Sequence, residues 1–309
     1  MMIKKLKILS LILIPVFLWS CEDEIFPALE EADPQIVIDA WINNNPEPQQ
    51  IRITETLPYY DAVKAPEVEG AIVYIIDNEN NTRYDFNEKL KGFYEWEPSV
   101  TQPRIGSIGS SFDLYIEIEG IIFTASTTLN RVPQIDSISF RFEPESFLPE
   151  GYYAQFYAND FVGPGDTYWI KAYKNNKLLN KPNEINIAFD AGFTAGGQVD
   201  GIPFIQPIRE GINPFDTDED DALLPPYLPG DSVHVELYSI TNEAFIYLNE
   251  LKIQTDRPGG FAELFAVPLS NIPSNIRNEN QEGSKPLGFF NVSAMSSMGK
   301  WLDPEKLPE

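Results

Sequence analysis

The chain has one cysteine and one histidine in 309 residues. No intramolecular disulfide can form, and a zinc site built from cysteine and histidine is excluded. Catalysis by a Ser/His/Asp set would have to pass through His234. That residue lies in the alternating segment Ser232-Val233-His234-Val235-Glu236-Leu237 and reads as a strand residue. Nothing in the chain resembles a nucleophile elbow. Basic residues are scarce, with 22 Lys and Arg against 47 Asp and Glu and a formal charge of −25. Such a field opposes nucleic acid and anionic surfaces, so no nucleic-acid partner is expected. No apolar run reaches the about 20 residues that a membrane-spanning helix requires. Gly163-Pro164-Gly165 and Gly196-Gly197 do not join a strand to a helix, so they read as turns and not as phosphate cradles.

What is present begins at the N-terminus. Lys4, Lys5 and Lys7 precede a 12-residue run, Ile8 to Trp19, broken only by Ser10 and Pro15. A positive segment followed by about 7–15 apolar residues is the pattern of a secretory signal. Leu18-Trp19-Ser20-Cys21 resembles the lipobox of bacterial lipoproteins, and Cys21 is the sole cysteine. The expected division is a signal peptide over 1–20 that is removed, then a lipidated acidic tether over 21–34. The covalent lipid on Cys21 would hold the protein to a membrane, since two or more acyl chains anchor stably where one does not. Glu22-Asp23-Glu24 follows directly and resembles the signal that sends Bacteroidota lipoproteins to the cell surface. Removal of residues 1–20 takes away three lysines and no acid, so the formal charge becomes −28. The acids are scattered, which fits a solubilising role.

Aromatic residues and prolines are both frequent (Phe 20, Tyr 14, Pro 26), a mix that favours strands and loops over long helices. Ile36–Ile42, Gln50–Thr54, Ala71–Ile76, Thr82–Phe86, Gly92–Trp96, Phe112–Ile118 and Ile121–Ser126 read as seven short strands. Regular spacing with turn signals predicts an immunoglobulin- or transthyretin-like β-sandwich over residues 35–131. A second β-rich domain is expected over 132–309, with long loops and one helix near 241–255. Its strands are predicted at 135–142, 167–173, 185–189, 232–238 and 287–293. Ala244, Tyr247, Leu248 and Leu251 share one face of the helix, and Thr241 can cap it. Residues 190–229 read as an elaborated surface insertion. The fold class is therefore mainly β.

Two sets of residues bear on chemistry. Asp216, Asp218 and Asp220 occupy positions 1, 3 and 5 of a possible calcium loop, with the oxygen ligands calcium prefers. Asp221 stands where the loop glycine belongs and Tyr227 where the bidentate glutamate belongs, so an EF-hand is excluded and only a looser calcium site is left. Tyr59-Tyr60, Tyr152-Tyr153, Phe156 and Trp301 could stack on sugars or dock a partner, but sandwich-core and domain-interface packing is the favoured reading.

The order of several segments resembles the Bacteroidota lipoproteins of domain of unknown function family 4249. They are Cys21-Glu22-Asp23, Ile36–Ile42, Val68-Glu69-Gly70-Ala71-Ile72-Val73, Gly92-Phe93-Tyr94 and Phe123–Thr128. Later come Pro229-Gly230-Asp231-Ser232-Val233, the helix after Ser239, Pro273-Ser274-Asn275-Ile276 and Leu287-Gly288-Phe289-Phe290. The resemblance implies a companion of a TonB-dependent outer-membrane transporter and brings no catalytic residues. The expectation is a non-enzymatic accessory lipoprotein on the outer membrane, facing the exterior and assisting uptake. A structural subunit of a larger outer-membrane assembly is the alternative, and a carboxylate- or calcium-dependent hydrolase a third.

Overall fold

The computed structural model describes residues 33–58, 63–197, 199–257, 259–280 and 285–307. Cys21, Glu22, Asp23 and Glu24, the expected signal peptide, nearly all of the tether and Tyr59-Tyr60 lie outside the described residues. The protein is mainly β. Alternation builds the first seven strands: β1 (Ile36–Asn43), β2 (Gln49–Glu55), β3 (Ile72–Asp77), β4 (Thr82–Leu90), β5 (Phe93–Trp96), β6 (Ser111–Ile118) and β7 (Ile121–Thr128). Ile38, Ala40 and Ile42 of β1 point inward, as do Phe112, Leu114, Ile116 and Ile118 of β6. Glu119-Gly120, both at positive φ, close the β6–β7 hairpin in two residues. Such a turn matches the twist of the strands it joins.

The second half contributes β8 (Ser137–Glu143) and β9 (Gly151–Tyr157), which form a two-stranded sheet, with a single bridge from Tyr152 to Tyr227. It also contributes β10 (Thr167–Lys174), β11 (Lys177–Leu178), β12 (Asn186–Phe189) and β13 (Ser232–Ile240). Helix α1 (Gln206–Glu210) is short, and α2 (Asn242–Thr255) is the helix expected near 241–255. The Thr241 hydroxyl accepts from the Ala244 amide at 3.2 Å and caps α2. Last come β14 (Arg277–Asn278), β15 (Leu287–Ser293) and β16 (Met295–Trp301). Among the described residues no helix is long and apolar enough to cross a membrane.

The strands assemble into a curled nine-stranded sheet, β14-β7-β6-β3-β4-β5-β2-β1-β15, and a second sheet, β11-β10-β13-β16, with β12 beside β10. The expected division at residues 131 and 132 falls between β7 and β8, yet β14 and β15 return to the first sheet. β15 pairs in parallel with β1, from Val37 opposite Leu287 to Asn43 opposite Ser293. One residue later, β16 is in the other sheet against β13. One buried apolar cluster accordingly runs without a break from Ile38 and Phe112 to Tyr168 and Val235, and residues 34–309 form one compact unit.

Sequence alternation does not reveal β9, which the aromatic cluster Tyr152-Tyr153 and Phe156 builds. Phe156 is fully buried, the two tyrosines are half-buried, and Trp301 on β16 is exposed. The 190–229 stretch is not only a surface insertion. Phe204, Ile208, Ile212 and Tyr227 are completely buried, and the Tyr227 hydroxyl donates to the Ile212 carbonyl at 2.6 Å.

Gly288 shows how closely β1 and β15 meet. It has φ +91°, and a Cβ there would overlap the Ile38 carbonyl, its partner in the ladder. Gly230 has the same φ of +91° with nothing within 4 Å of its missing Cβ. Gly288→Ala is expected to cost about 3 kcal/mol or more in denaturant unfolding. Gly230→Ala, which carries only backbone strain, should cost about 1 kcal/mol. Equal costs would show that the β1–β15 approach is not tight.

Candidate functional site

The outward faces of the two sheets carry a second, smaller apolar cluster beside the main core. Since Ile38, Ala40 and Ile42 face inward, Val37, Asp39 and Trp41 of β1 face outward. Arg52 of β2 stands opposite Asp39, and Phe289 of β15 lies on its other side. In the second sheet Tyr168, Ile170 and Ala172 are buried, so Trp169, Lys171 and Tyr173 face the other way. Across the ladder on β13 lie Tyr238 opposite Trp169, Glu236 opposite Lys171 and His234 opposite Tyr173. Helix α2 adds Tyr247. The Trp41 and Trp169 rings meet edge to face at 4.9 Å. Trp41 stacks on Phe289 at 5.5 Å, and Tyr247 lies 4.8 Å from Phe289. Trp169 and Tyr238 are 6.3 Å apart. These rings pack with Ile187, Ile240, Ala244 and Leu248 in this smaller cluster.

Charge is placed within the aromatic wall. The Lys171 ammonium lies 4.0 Å from the centre of the Trp169 ring and 4.5 Å from that of Tyr238. Neither the Lys171 nor the Asp39 side chain has a hydrogen-bond or ion-pair partner among the described residues. Burial lowers the pKa of Lys171, against the pull of Glu236 and Asp39. Asp39 is exposed to solvent, yet burial is the main influence that raises its carboxyl above the usual range, opposed by Lys171 and Arg52. The Arg52 Nε atom nearby is buried without a partner. Glu236 is held in place: its Oε2 accepts from the hydroxyls of Tyr173 at 2.9 Å and Tyr238 at 2.8 Å. Burial, then Asp39, push the Tyr247 hydroxyl up to about 12. His234, the strand residue of the sequence reading, lies at the margin, with Nε2 3.6 Å from Glu236.

The acids of the possible calcium loop go elsewhere. Asp216 pairs with Lys181 at 2.7 Å, which holds its carboxyl below the usual range. Asp218 accepts from the amides of Asp220 and Ala222, each at 2.9 Å, and shapes the turn. Among the described residues, the carboxylates that converge are Asp160, Asp190 and Asp200, with one oxygen of each within 4.8 Å of the others. Their oxygens already accept hydrogen bonds. Asp160 takes the Tyr168 hydroxyl at 2.6 Å and the Gly201 amide at 3.2 Å. Asp190 takes the amides of Gly165 at 2.7 Å and Asp166 at 3.1 Å, and Asp200 that of Gly163 at 3.0 Å. Asp166 in turn receives the Arg131 guanidinium. This partner set pins the 160–166 and 190–201 loops together. Burial raises the carboxyl pKa of Asp160, helped by Asp166 and Asp190 and opposed by its hydrogen bonds.

The profile of the family described as Domain of unknown function (DUF4249) matches residues 22–298. The chain belongs to the DUF4249 family. No curated protein matches it. The match runs from the residue after Cys21 into β16, so this DUF4249 chain carries the aromatic cluster and the acidic hub within the family region. The family description assigns neither a role.

Sequence reasoning passed over Asp39, Trp169, Lys171 and Tyr238. A signal exists: Asp39-Ala40-Trp41 and Trp169-Ile170-Lys171 each place an aromatic and a charge on the face opposite the core residues. Nothing in the sequence brings the two segments together.

Unpaired charge among aromatics works against stability, and two substitutions measure this. Lys171→Met keeps the stem and removes the desolvated ammonium, at the cost of its ring contacts. It should leave the protein at least as stable at neutral pH, with a gain of up to about 1 kcal/mol. The sign follows from the lowered pKa: the stability Lys171 allows is lost as pH falls through its folded value. Asp39 is the opposite case, because its folded pKa is raised and stability is lost as pH rises through it. Asp39→Asn should therefore raise Tm at neutral pH and lose this advantage on acidification below the carboxylate range. Destabilisation by both variants at pH 7 would make the two groups structural.

Proposed function

We propose that this protein is a lipid-anchored lipoprotein of the outer membrane, exposed on the cell surface. In this reading it works as a non-enzymatic accessory subunit of a TonB-dependent transporter and assists uptake. The observation that carries it is Cys21, the sole cysteine, directly behind a 12-residue apolar run and directly ahead of Glu22-Asp23-Glu24. A secretory signal that ends at an acylated cysteine leaves a folded body tied to a membrane by lipid alone.

An exposed apolar surface supports work within an assembly. Phe193, Ile253, Phe261, Phe265, Val267 and Leu269 are all exposed, with Phe261 and Phe265 at 77% and 78%. Between the end of α2 and the 3-10 turn Gly260–Phe265 lies a groove of about 590 Å³, lined by Ile185, Phe193, Ile253, Phe265 and Val267. Contiguous apolar patches of this kind mark interaction surfaces. The same patch serves the second reading, a structural subunit of a larger outer-membrane complex. Deletion separates the two: loss of growth on one nutrient supports uptake, and a general envelope defect supports assembly.

The anchor and the partner have separate tests. Cells fed radiolabelled palmitate should label the protein, and Cys21→Ser should abolish the label and release the protein from the membrane fraction. Purification of the acylated protein in mild detergent should bring a β-barrel transporter with it. Recovery as a solitary lipoprotein would overturn the accessory role.

A further inference from the structure

The segment that follows α2 is unlike the rest of the chain. Gly259 and Gly260, at φ +64° and +54°, turn the chain out of the helix into the 3-10 turn Gly260–Phe265. From Arg257 to Ile276 the sequence holds one base and one acid, in a chain of 47 acids and 22 bases. That base and acid, Arg257 and Glu263, pair with each other, so the segment carries no net charge. Its apolar side chains meet solvent. Phe261 and Phe265 are more than three-quarters exposed and touch edge to face at 5.7 Å. Val267 and Leu269, next in the chain, are exposed as well. Leaving such side chains in water is unfavourable, and a contiguous set of them marks a contact surface.

The place of the segment in the fold selects its occupant. Along β15, Asn291 stands opposite Trp41 of β1, Phe289 opposite Asp39 and Leu287 opposite Val37. Helix α2 begins at Asn291, whose side chain accepts the Thr241 amide, and is level with Phe289 by Tyr247, their rings 4.8 Å apart. It therefore runs toward the end at which β1 starts. The residues from Tyr247 to Thr255 carry it about 12 Å further, whereas Leu287 is only about 7 Å beyond Phe289. So α2 ends, and the apolar segment begins, at the end of the body where the chain enters through Pro34. In the lipoprotein reading, residues Cys21 to Asp33 tie that end to the bilayer with a reach of at most about 45 Å. Uncharged apolar side chains on the tethered end suit the boundary between headgroups and acyl chains, which unpaired acids would oppose. We propose that Phe261, Phe265, Val267 and Leu269 insert into the interfacial region of the membrane and form a second, non-covalent contact that orients the anchored body. Phe193 and Ile253, which belong to the body itself, are left to the assembly surface.

This inference rests on the lipid anchor at Cys21 and not on the transporter partner. The test uses the acylated protein in phosphatidylcholine vesicles. Acylation consumes the Cys21 thiol, so a cysteine placed elsewhere is the single free thiol and takes one environment-sensitive dye. Dye on Phe261→Cys, or on Phe265→Cys in a second variant, should be quenched about threefold or more by a nitroxide carried on the lipid acyl chains. Val100 supplies the control. It is fully exposed and follows β5, whose Trp96 pairs with Gln49 at the far end of the β1–β2 hairpin from Pro34. Dye on Val100→Cys should stay in water and be quenched by iodide instead. Flotation of the vesicles reports the anchor separately. Protein that floats while the dye at both phenylalanine positions stays open to iodide would overturn this inference and leave the anchor standing. Equal acyl-chain quenching at Val100 and Phe261 would overturn it too, since the body would then have no preferred orientation. Shielding at Phe261 that appears only with a co-purified β-barrel would make the segment a protein contact. Protein that does not float at all would overturn the anchor reading, and the inference with it.

Discussion

The parallel ladder between β1 and β15 joins residues separated by about 250 positions, and the rest of the structure depends on it. Parallel strands cannot be joined by a tight turn, so this pairing closes only when the chain between has a place to go. Loop closure grows only slowly with length, and a long intervening chain costs far less than its size suggests. Once β15 is in place, Ala294 alone separates it from β16, which belongs to the second sheet. The Ser239 amide donates to the Ala294 carbonyl at 3.0 Å, and the Ala294 amide donates to the Ser239 hydroxyl at 2.9 Å. The same hydroxyl donates to the carbonyl of Asn130 at 2.8 Å. That corner fixes the two sheets to each other.

Polar groups buried at the junction reinforce it. Asn291 on β15 is fully buried, with its carbonyl oxygen accepting the Thr241 amide at 3.2 Å and its amide donating to Ser293 at 2.8 Å. A buried amide side chain is costly unless paired, so these bonds select one register for β15. The position of α2 follows, because the Thr241 amide bonded to Asn291 starts the helix. The aromatic cluster is a consequence of the same junction: Trp41 and Phe289 come from one sheet, Trp169 and Tyr238 from the other, and Tyr247 from the helix that β15 helps to place.

Two acidic regions illustrate opposite uses of charge. Asp160, Asp190, Asp166 and Asp200 are surrounded by amides, a tyrosine hydroxyl and one arginine, and their hydrogen bonds hold loops in place. Asp39 and Lys171 have no such partners, and the Lys171 ammonium lies over the rings of Trp169 and Tyr238. Natural proteins depart from local consistency mainly where a site requires it, at some expense in stability. By that measure the unpaired Asp39 and Lys171 are the stronger candidates for function and the acidic hub for architecture.

The strands of the first half were legible because alternation is local: Ile36–Ile42 and Phe112–Ile118 declare their buried faces within a few residues. Helix α2 was legible for the same reason, through Thr241 and the spacing of Ala244, Leu248 and Leu251. β9 was missed because Tyr152, Tyr153 and Phe156 do not alternate with polar residues, and β16 because Met295–Trp301 is mostly small or polar. The acids Asp216, Asp218 and Asp220 are neighbours in sequence, whereas the carboxylates that converge are ten to forty positions apart. By itself the sequence determined a mainly β chain of strongly acidic character, with a single cysteine behind an apolar run. Only the tertiary structure decided that β15 returns to β1, that the expected boundary near residue 131 does not divide the core, and that Asp39 and Lys171 come near enough to influence each other. Period-two patterning acts over a few residues, but partner choice is set by buried polar bonds and shape between strands far apart in the chain.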